Sequence, residues 1–237
     1  MDLKEHFEGS GNWLFRRRSY LPLVMVGLFA GMLFFYKAPP DETEIWDIVC
    51  LLISFAGLAL RAYTVGFASW GTSGRNTQQQ SADSLNTTGM YSVVRHPLYL
   101  GNFIIWFGLS LFFRQWWFSL IVSLSFWLYY ERIMFAEEAY LKEKFGDRFS
   151  EWARRTPAFL PAFRLWERPV SPFSLRTILK REQSGFLAIT ASFTFLEVVG
   201  DCLTDGKFQV ETVWIVFFFL SLLIFLSLTG LKKARLL

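Results

Sequence analysis

The sequence predicts an all-α fold, a polytopic membrane bundle of about six spans. Three observations predict it. The 237 residues are 53% hydrophobic and 19% aromatic. Their apolar residues gather into blocks, and a membrane span needs roughly 17–25 mostly apolar residues. Charge is concentrated in the segments between the blocks. Backbone facing lipid must satisfy its own hydrogen bonds, so each block is expected to be helical.

The blocks lie at 20–37, 46–67, 98–113, 116–135, 185–200 and 212–231. The third and fifth are short and suit tilted or partly spanning helices. Arg114-Gln115 makes a tight hairpin of the third and fourth. Within the first block, Gly27-x-x-x-Gly31 is expected to let another helix approach closely. The polar stretch 167–184, with Pro169 and Pro172, reads as a connector between a core at 1–166 and a two-helix membrane extension at 185–237.

Charge orients the set. Arg16, Arg17 and Arg18 precede the first block, and Lys232, Lys233 and Arg235 follow the last. The stretch 131–184 is rich in Lys and Arg, whereas the loops at 41–44 and 201–211 are mainly acidic. By the positive-inside rule, both termini and the stretches 68–97 and 131–184 are expected on the cytoplasmic side. No small-residue cleavage site follows Arg16–Arg18, so the first block reads as an anchor that stays. The two cysteines, Cys50 and Cys202, form neither a disulfide framework nor a zinc site, and no metal site is expected. The net charge of +4 suits anionic lipid head groups, and no nucleic-acid module is visible.

Two constellations carry chemistry. The first is the run 88–101, containing Arg95-His96-Pro97. Proline disfavours helix in the residue before it and fits the first helical turn, so a helix is expected to begin at Pro97. Free N–H groups there attract an anion, Arg95 adds a forked donor, and His96 can donate or accept near neutral pH. The alternative for Arg95 alone is an anchor among lipid phosphates. The second constellation is Glu131-Arg132, Glu137-Glu138 and Phe145-Gly146, on a helix expected to run from the fourth block to a stop at Gly146. Residues seven apart share a helix face, aligning Glu131 with Glu138 and Tyr130 with Glu137. Carboxylates at a membrane exit are costly unless they bind a cation or pair with Arg132 or Lys142. Together the two ends suit a zwitterion, with its carboxylate near Arg95 and its ammonium near the glutamates. Nearby aromatics suit a sulfonium.

At these residues the sequence resembles the isoprenylcysteine carboxyl methyltransferase family, related to the phospholipid methyltransferases. The resemblance rests on Gly89 and Tyr91, on Arg95–Gly101, on Glu137-Glu138 with Leu141, on Phe145-Gly146, and on Leu60-Arg61 and Pro161. It implies an integral membrane enzyme that uses S-adenosylmethionine and takes a lipid or lipidated acceptor sideways from the bilayer. It implies cofactor binding by Gly89, Tyr91, Val94, His96, Tyr99, Leu100, Gly101, Glu137 and Glu138. Arg95, Arg132 and Glu138 are the candidates for the catalytic step. Phe149 and Trp152 stand where family members often have tyrosines, which loses hydroxyl contacts there. The insert at 78–86 and the two C-terminal helices are additions to the core, and those helices are a candidate homodimer contact.

A carboxylate or phosphate acceptor needs no base, whereas an amine does, and the glutamates are already assigned to the cofactor. O-methylation is therefore favoured over phospholipid N-methylation. The rival reading is an NADPH-dependent sterol or steroid reductase, which carries a similar Arg-His-Pro run. The glutamate pair and Phe-Gly favour the methyltransferase.

Overall fold

The computed structural model describes residues 2–17, 20–33, 35, 44–68, 82–205 and 211–237. Arg18, positions 41–43 of the first acidic loop, positions 78–81 of the insert and positions 206–210 of the second acidic loop lie outside the described residues. The described residues are helical, apart from turns and an isolated bridge between Gly89 and Glu167. The helices are α1 (Leu3–Arg17), α2 (Leu21–Leu33), α3 (Glu44–Gly66), the single turn α4 (Met90–Val93), α5 (Pro97–Leu111), α6 (Trp116–Phe145), α7 (Asp147–Arg155), α8 (Leu175–Asp205) and α9 (Thr212–Lys233).

Three segments are long and apolar enough to cross a membrane: Ile45–Gly66, Leu175–Gly200 and Thr212–Lys233. Val24–Leu33 and Pro97–Leu111 are shorter apolar helices. Helix α6 is apolar only in its first part and turns charged after Tyr130. Outward-facing apolar side chains recur along α3, α6 and α9, among them Ile45, Leu52, Leu124, Leu128, Phe219 and Leu223. Water does not tolerate so continuous an apolar surface, and lipid does. The protein is an integral membrane protein.

The core is largely aromatic. Phe29 of α2 meets Phe113 and Phe118 edge-on at 5.6 and 5.2 Å, an arrangement that ring quadrupoles favour. Phe126, Phe193 and Ile189 are fully buried in the same cluster. Helix α5 packs chiefly on α3, where glycines replace side chains. A Cβ on Gly57 would stand 2.6 Å from the Gly101 carbonyl oxygen, and one on Gly101 would stand 2.5 Å from Arg61 Cγ. Only glycine permits this approach, which fixes α5 against α3. By contrast, among the described residues nothing lies within 4 Å of a Cβ on Gly27 or Gly31, so no described helix makes the close approach expected there.

Two elements depart from expectation. Helix α1 was not anticipated; it packs along α6. Helix α8 begins at Leu175, ten residues before the expected span, so the second half of the expected connector is helix packed on α3.

Candidate active site

Pro97 is the first residue of α5, as its missing N–H allows. His96 precedes it with φ −120°; its side chain caps no helical N–H, and its carbonyl accepts from the Leu100 N–H at 3.0 Å. A strap after α7 holds this entrance by main-chain bonds. The Arg95 N–H donates to the Pro157 carbonyl at 2.9 Å and the His96 N–H to the Ala158 carbonyl at 3.2 Å. The Ala162 N–H donates to the Val93 carbonyl at 2.9 Å, and the Gly89 N–H to the Glu167 carbonyl at 3.0 Å. Gly89 has φ +62°, a conformation that suits glycine.

Opposite this entrance, α6 runs unbroken to Phe145 and stops at Gly146, whose φ is +56°. The two constellations meet there. His96 Nε2 lies 2.9 Å from Glu138 Oε1, and Tyr99 donates its hydroxyl proton to Glu137 Oε2 at 2.9 Å. Arg95 Nε is 3.2 Å from the same Glu138 oxygen, a charge contact off the line of a hydrogen bond. The Arg95 Nε is buried and lacks an acceptor. The His96 and Tyr99 rings stack at 5.6 Å, and Tyr99 leans on Tyr130 at 4.8 Å, so the face expected to carry Tyr130 and Glu137 is the one α5 meets.

The remaining candidates divide. Tyr91 lies near this cluster. Burial first, then the Glu137 charge, pushes its phenol well above the usual tyrosine value, with Arg181 and Arg61 pulling the other way. Val94 and Leu100 are buried with Met90 and Val93 in a small apolar cluster beneath the entrance. Gly101 serves the α3–α5 contact. Arg132 is not brought to the cluster. Its guanidinium lies 3.7 Å from the Phe7 ring centroid and donates to Ser10 Oγ at 3.3 Å, both on α1. Trp152, where a tyrosine was missed, donates its indole N–H to the Tyr91 carbonyl at 3.0 Å, so a polar link survives the change.

Arg61 was named in the sequence, but its partners were not. Arg61 of α3 donates from Nε and a terminal nitrogen to the two oxygens of Glu182 of α8, each at 2.9 Å. Its other terminal nitrogen donates to Asn102 Oδ1 at 2.6 Å, and Asn102 donates to the Tyr130 hydroxyl at 3.2 Å. This fork joins α8 to the helices bearing the site. Ser92 also escaped notice: it donates to the Gly89 carbonyl at 2.7 Å and accepts from the Glu167 N–H at 2.9 Å. Among the described residues no group of three or more His, Cys, Asp or Glu side chains is placed to hold a metal ion.

These features define an integral membrane protein, helical over the described residues, with a polar cluster where helix ends converge. Comparison with known proteins makes the class specific. Residues 48–148 match the family described as phospholipid methyltransferase. The cobalt-zinc-cadmium resistance protein CzcN of Cupriavidus metallidurans is 32% identical over 157 residues, covering 65% of this chain and 68% of that protein. The nickel-cobalt-cadmium resistance protein NccN of Alcaligenes xylosoxydans xylosoxydans is 35% identical over 151 residues, covering 63% and 64%. The protein-S-isoprenylcysteine O-methyltransferase of Schizosaccharomyces pombe is 35% identical over 77 residues, covering 32% and 33%. This chain thus spans about two thirds of the two resistance proteins and one third of the yeast enzyme. No solved structure matches. The chain belongs to the isoprenylcysteine carboxyl methyltransferase and phospholipid methyltransferase family.

Proposed function

We propose that this protein is an S-adenosylmethionine-dependent methyltransferase of the membrane, acting on a lipid or lipidated acceptor at a carboxylate or phosphate oxygen. The observation that carries the reading is the junction of Arg95 and His96 with Glu138 and of Tyr99 with Glu137. Cationic and anionic groups face each other there at a helix start without a side-chain cap.

The residues fit the donor's amino-acid moiety. Arg95 has a buried Nε without an acceptor, the start of α5 carries no side-chain cap, and the Glu137 and Glu138 side chains are a third and a quarter exposed. A carboxylate would be held by Arg95 and the helix start, and an ammonium by the glutamates. The bound cofactor supplies an electrophilic methyl on a sulfonium.

The chain's own work is positioning. The strap fixes Arg95 and His96, the glycine contact fixes α5, and Tyr99 fixes Glu137. Alignment of this kind can contribute about 7–11 kcal/mol to a two-reactant step. No group in the cluster is poised as a base: Glu138 pairs with His96, Glu137 accepts from Tyr99, and the Tyr91 phenol holds its proton. An acceptor already ionised near neutral pH needs none, which favours O-methylation over N-methylation of an amine. The positive-inside rule puts the site and both termini on the cytoplasmic side, with the acceptor entering from the bilayer.

The test has two arms. Detergent-purified protein is expected to bind S-adenosylmethionine and S-adenosylhomocysteine but not NADPH. Cells with and without the gene, fed methyl-labelled methionine, are expected to differ in one labelled lipid or lipidated protein by mass spectrometry. Binding of NADPH alone, or identical labelling in both strains, refutes the reading. Heavy-metal resistance, which names two of the relatives, is a phenotype to score in the same strains.

A further inference from the structure

Helix α1 precedes the region that matches the family, yet it lies against the candidate site. One face docks it on α6. Phe7 receives the Arg132 guanidinium, Ser10 Oγ accepts from Arg132 at 3.3 Å, and the Leu14 carbonyl accepts from the Tyr129 hydroxyl at 3.2 Å. Gly11 meets the Arg132 main chain and Ala136 so closely that no Cβ would fit. Positions 7, 10, 11 and 14 form one helical stripe.

The adjoining stripe, Glu8, Asn12 and Arg16, faces a cleft of about 1570 Å³ between α1, α6 and α7. That cleft reaches Arg95 and Glu138, the charged pair of the proposed site. A helix lying on a membrane surface turns its polar face to water. This one turns it to an open cleft ample for a ligand, since small-molecule sites occupy about 300–1,000 Å³. The wall mixes polar groups, Glu8, Asn12, Lys142 and Arg154, with the rings of Phe15, Phe135 and Phe149, which suits a ligand carrying both hydroxyls and a flat ring better than a plain acyl or prenyl chain.

We propose that α1 forms the nucleoside-binding wall of the methyl-donor site, with Glu8 and Asn12 receiving the ribose and base of an adenosyl group. This rests on the methyltransferase reading and extends it to a helix outside the matched region. A carboxylate accepts from both hydroxyls of a vicinal diol, and a carboxamide offers a donor and an acceptor to a base edge. Phe135, partly exposed in the cleft, offers a ring face for stacking. The donor's amino-acid end then falls at Arg95 and Glu138.

The experiment separates the two halves of the ligand. Full-length wild type, Glu8→Gln, Asn12→Ala and Glu138→Gln are titrated with S-adenosylhomocysteine, with adenosine and methionine as competitors, and their melting curves are recorded. Glu8→Gln and Asn12→Ala are expected to weaken S-adenosylhomocysteine and adenosine by about fivefold or more, the loss of one hydrogen bond. Competition by methionine should be unchanged. Glu138→Gln is expected to do the reverse, weakening methionine and sparing adenosine. Wild-type affinity in Glu8→Gln and Asn12→Ala with unchanged melting overturns the proposal, as does loss of methionine rather than adenosine competition. Failure of the wild type to bind S-adenosylhomocysteine overturns the methyltransferase reading, and this proposal with it.

Discussion

Glu138→Gln isolates charge from shape at the centre of the site. The amide keeps the volume and can still meet His96, but it removes the negative charge that Arg95 Nε approaches at 3.2 Å and His96 Nε2 at 2.9 Å. The Glu138 side chain is one quarter exposed and Arg95 less, so water screens the contact only in part. A hydrogen bond to a charged group contributes about 1.5–3 kcal/mol. If that interaction passes to the cofactor's ammonium on binding, its loss weakens affinity by roughly ten- to a hundredfold. Calorimetric titration of S-adenosylhomocysteine into detergent-purified wild type and variant measures this directly, with thermal melts confirming an intact fold. Affinity within about twofold of wild type, in a protein that melts normally, would refute the assignment of Glu138 to the cofactor.

Three further outcomes are expected. Gly101→Ala drives a methyl group into Arg61 and the Gly57 carbonyl, and should cost about 1–3 kcal/mol of stability in thermal melts; a neutral result would mean α3 and α5 separate easily. Glu182→Gln strips the carboxylate from a mostly buried Arg61, an insult of up to about 3–5 kcal/mol, while Arg61→Met with Glu182→Leu should recover most of the melting temperature. Tyr91→Phe tests the raised phenol. Burial and then Glu137 raise it, so the folded state holds this proton more tightly than the unfolded chain. The stability it lends is complete below about pH 10 and is lost as pH rises through the higher folded value. The variant should therefore track wild type from about pH 6 to pH 9 and lose stability less steeply above about pH 10. A difference confined to neutral pH would contradict the shift.

The site was legible where local rules are strict. Pro97 dictates a helix start, Gly146 a helix stop, and a seven-residue spacing a shared face; the charge pattern put the two stretches on one side, and the family resemblance paired Arg95 and His96 with Glu137 and Glu138. What stayed hidden depended on tertiary partners. Helix α1 carries Gly9, Ser10 and Gly11, weak helix formers that hide its stripe at 7, 11 and 14 until α6 supplies the contacts. The start of α8 looked like a connector because it is polar. Its stripe at Ile178, Glu182, Gly185 and Ile189 only reads as helical once α3 is known to lie opposite, with Gly66 against Ile178, Arg61 against Glu182 and Leu58 against Gly185. Arg132 misled for the same reason: its neighbours in sequence point to the site, but the cation is satisfied by α1.

At Pro157, Ala158 and Ala162 the strap after α7 grips the Arg-His-Pro entrance main chain to main chain. Replacing Phe159 or Leu160 would leave every one of those bonds chemically intact. Removing a single residue between Pro157 and Ala162 would shift the donors and acceptors out of step and carry Arg95 and His96 away from the glutamates. Along this stretch the main chain sets the count, and Phe159, whose ring packs on Phe103 and Trp127, is held by its side chain as well.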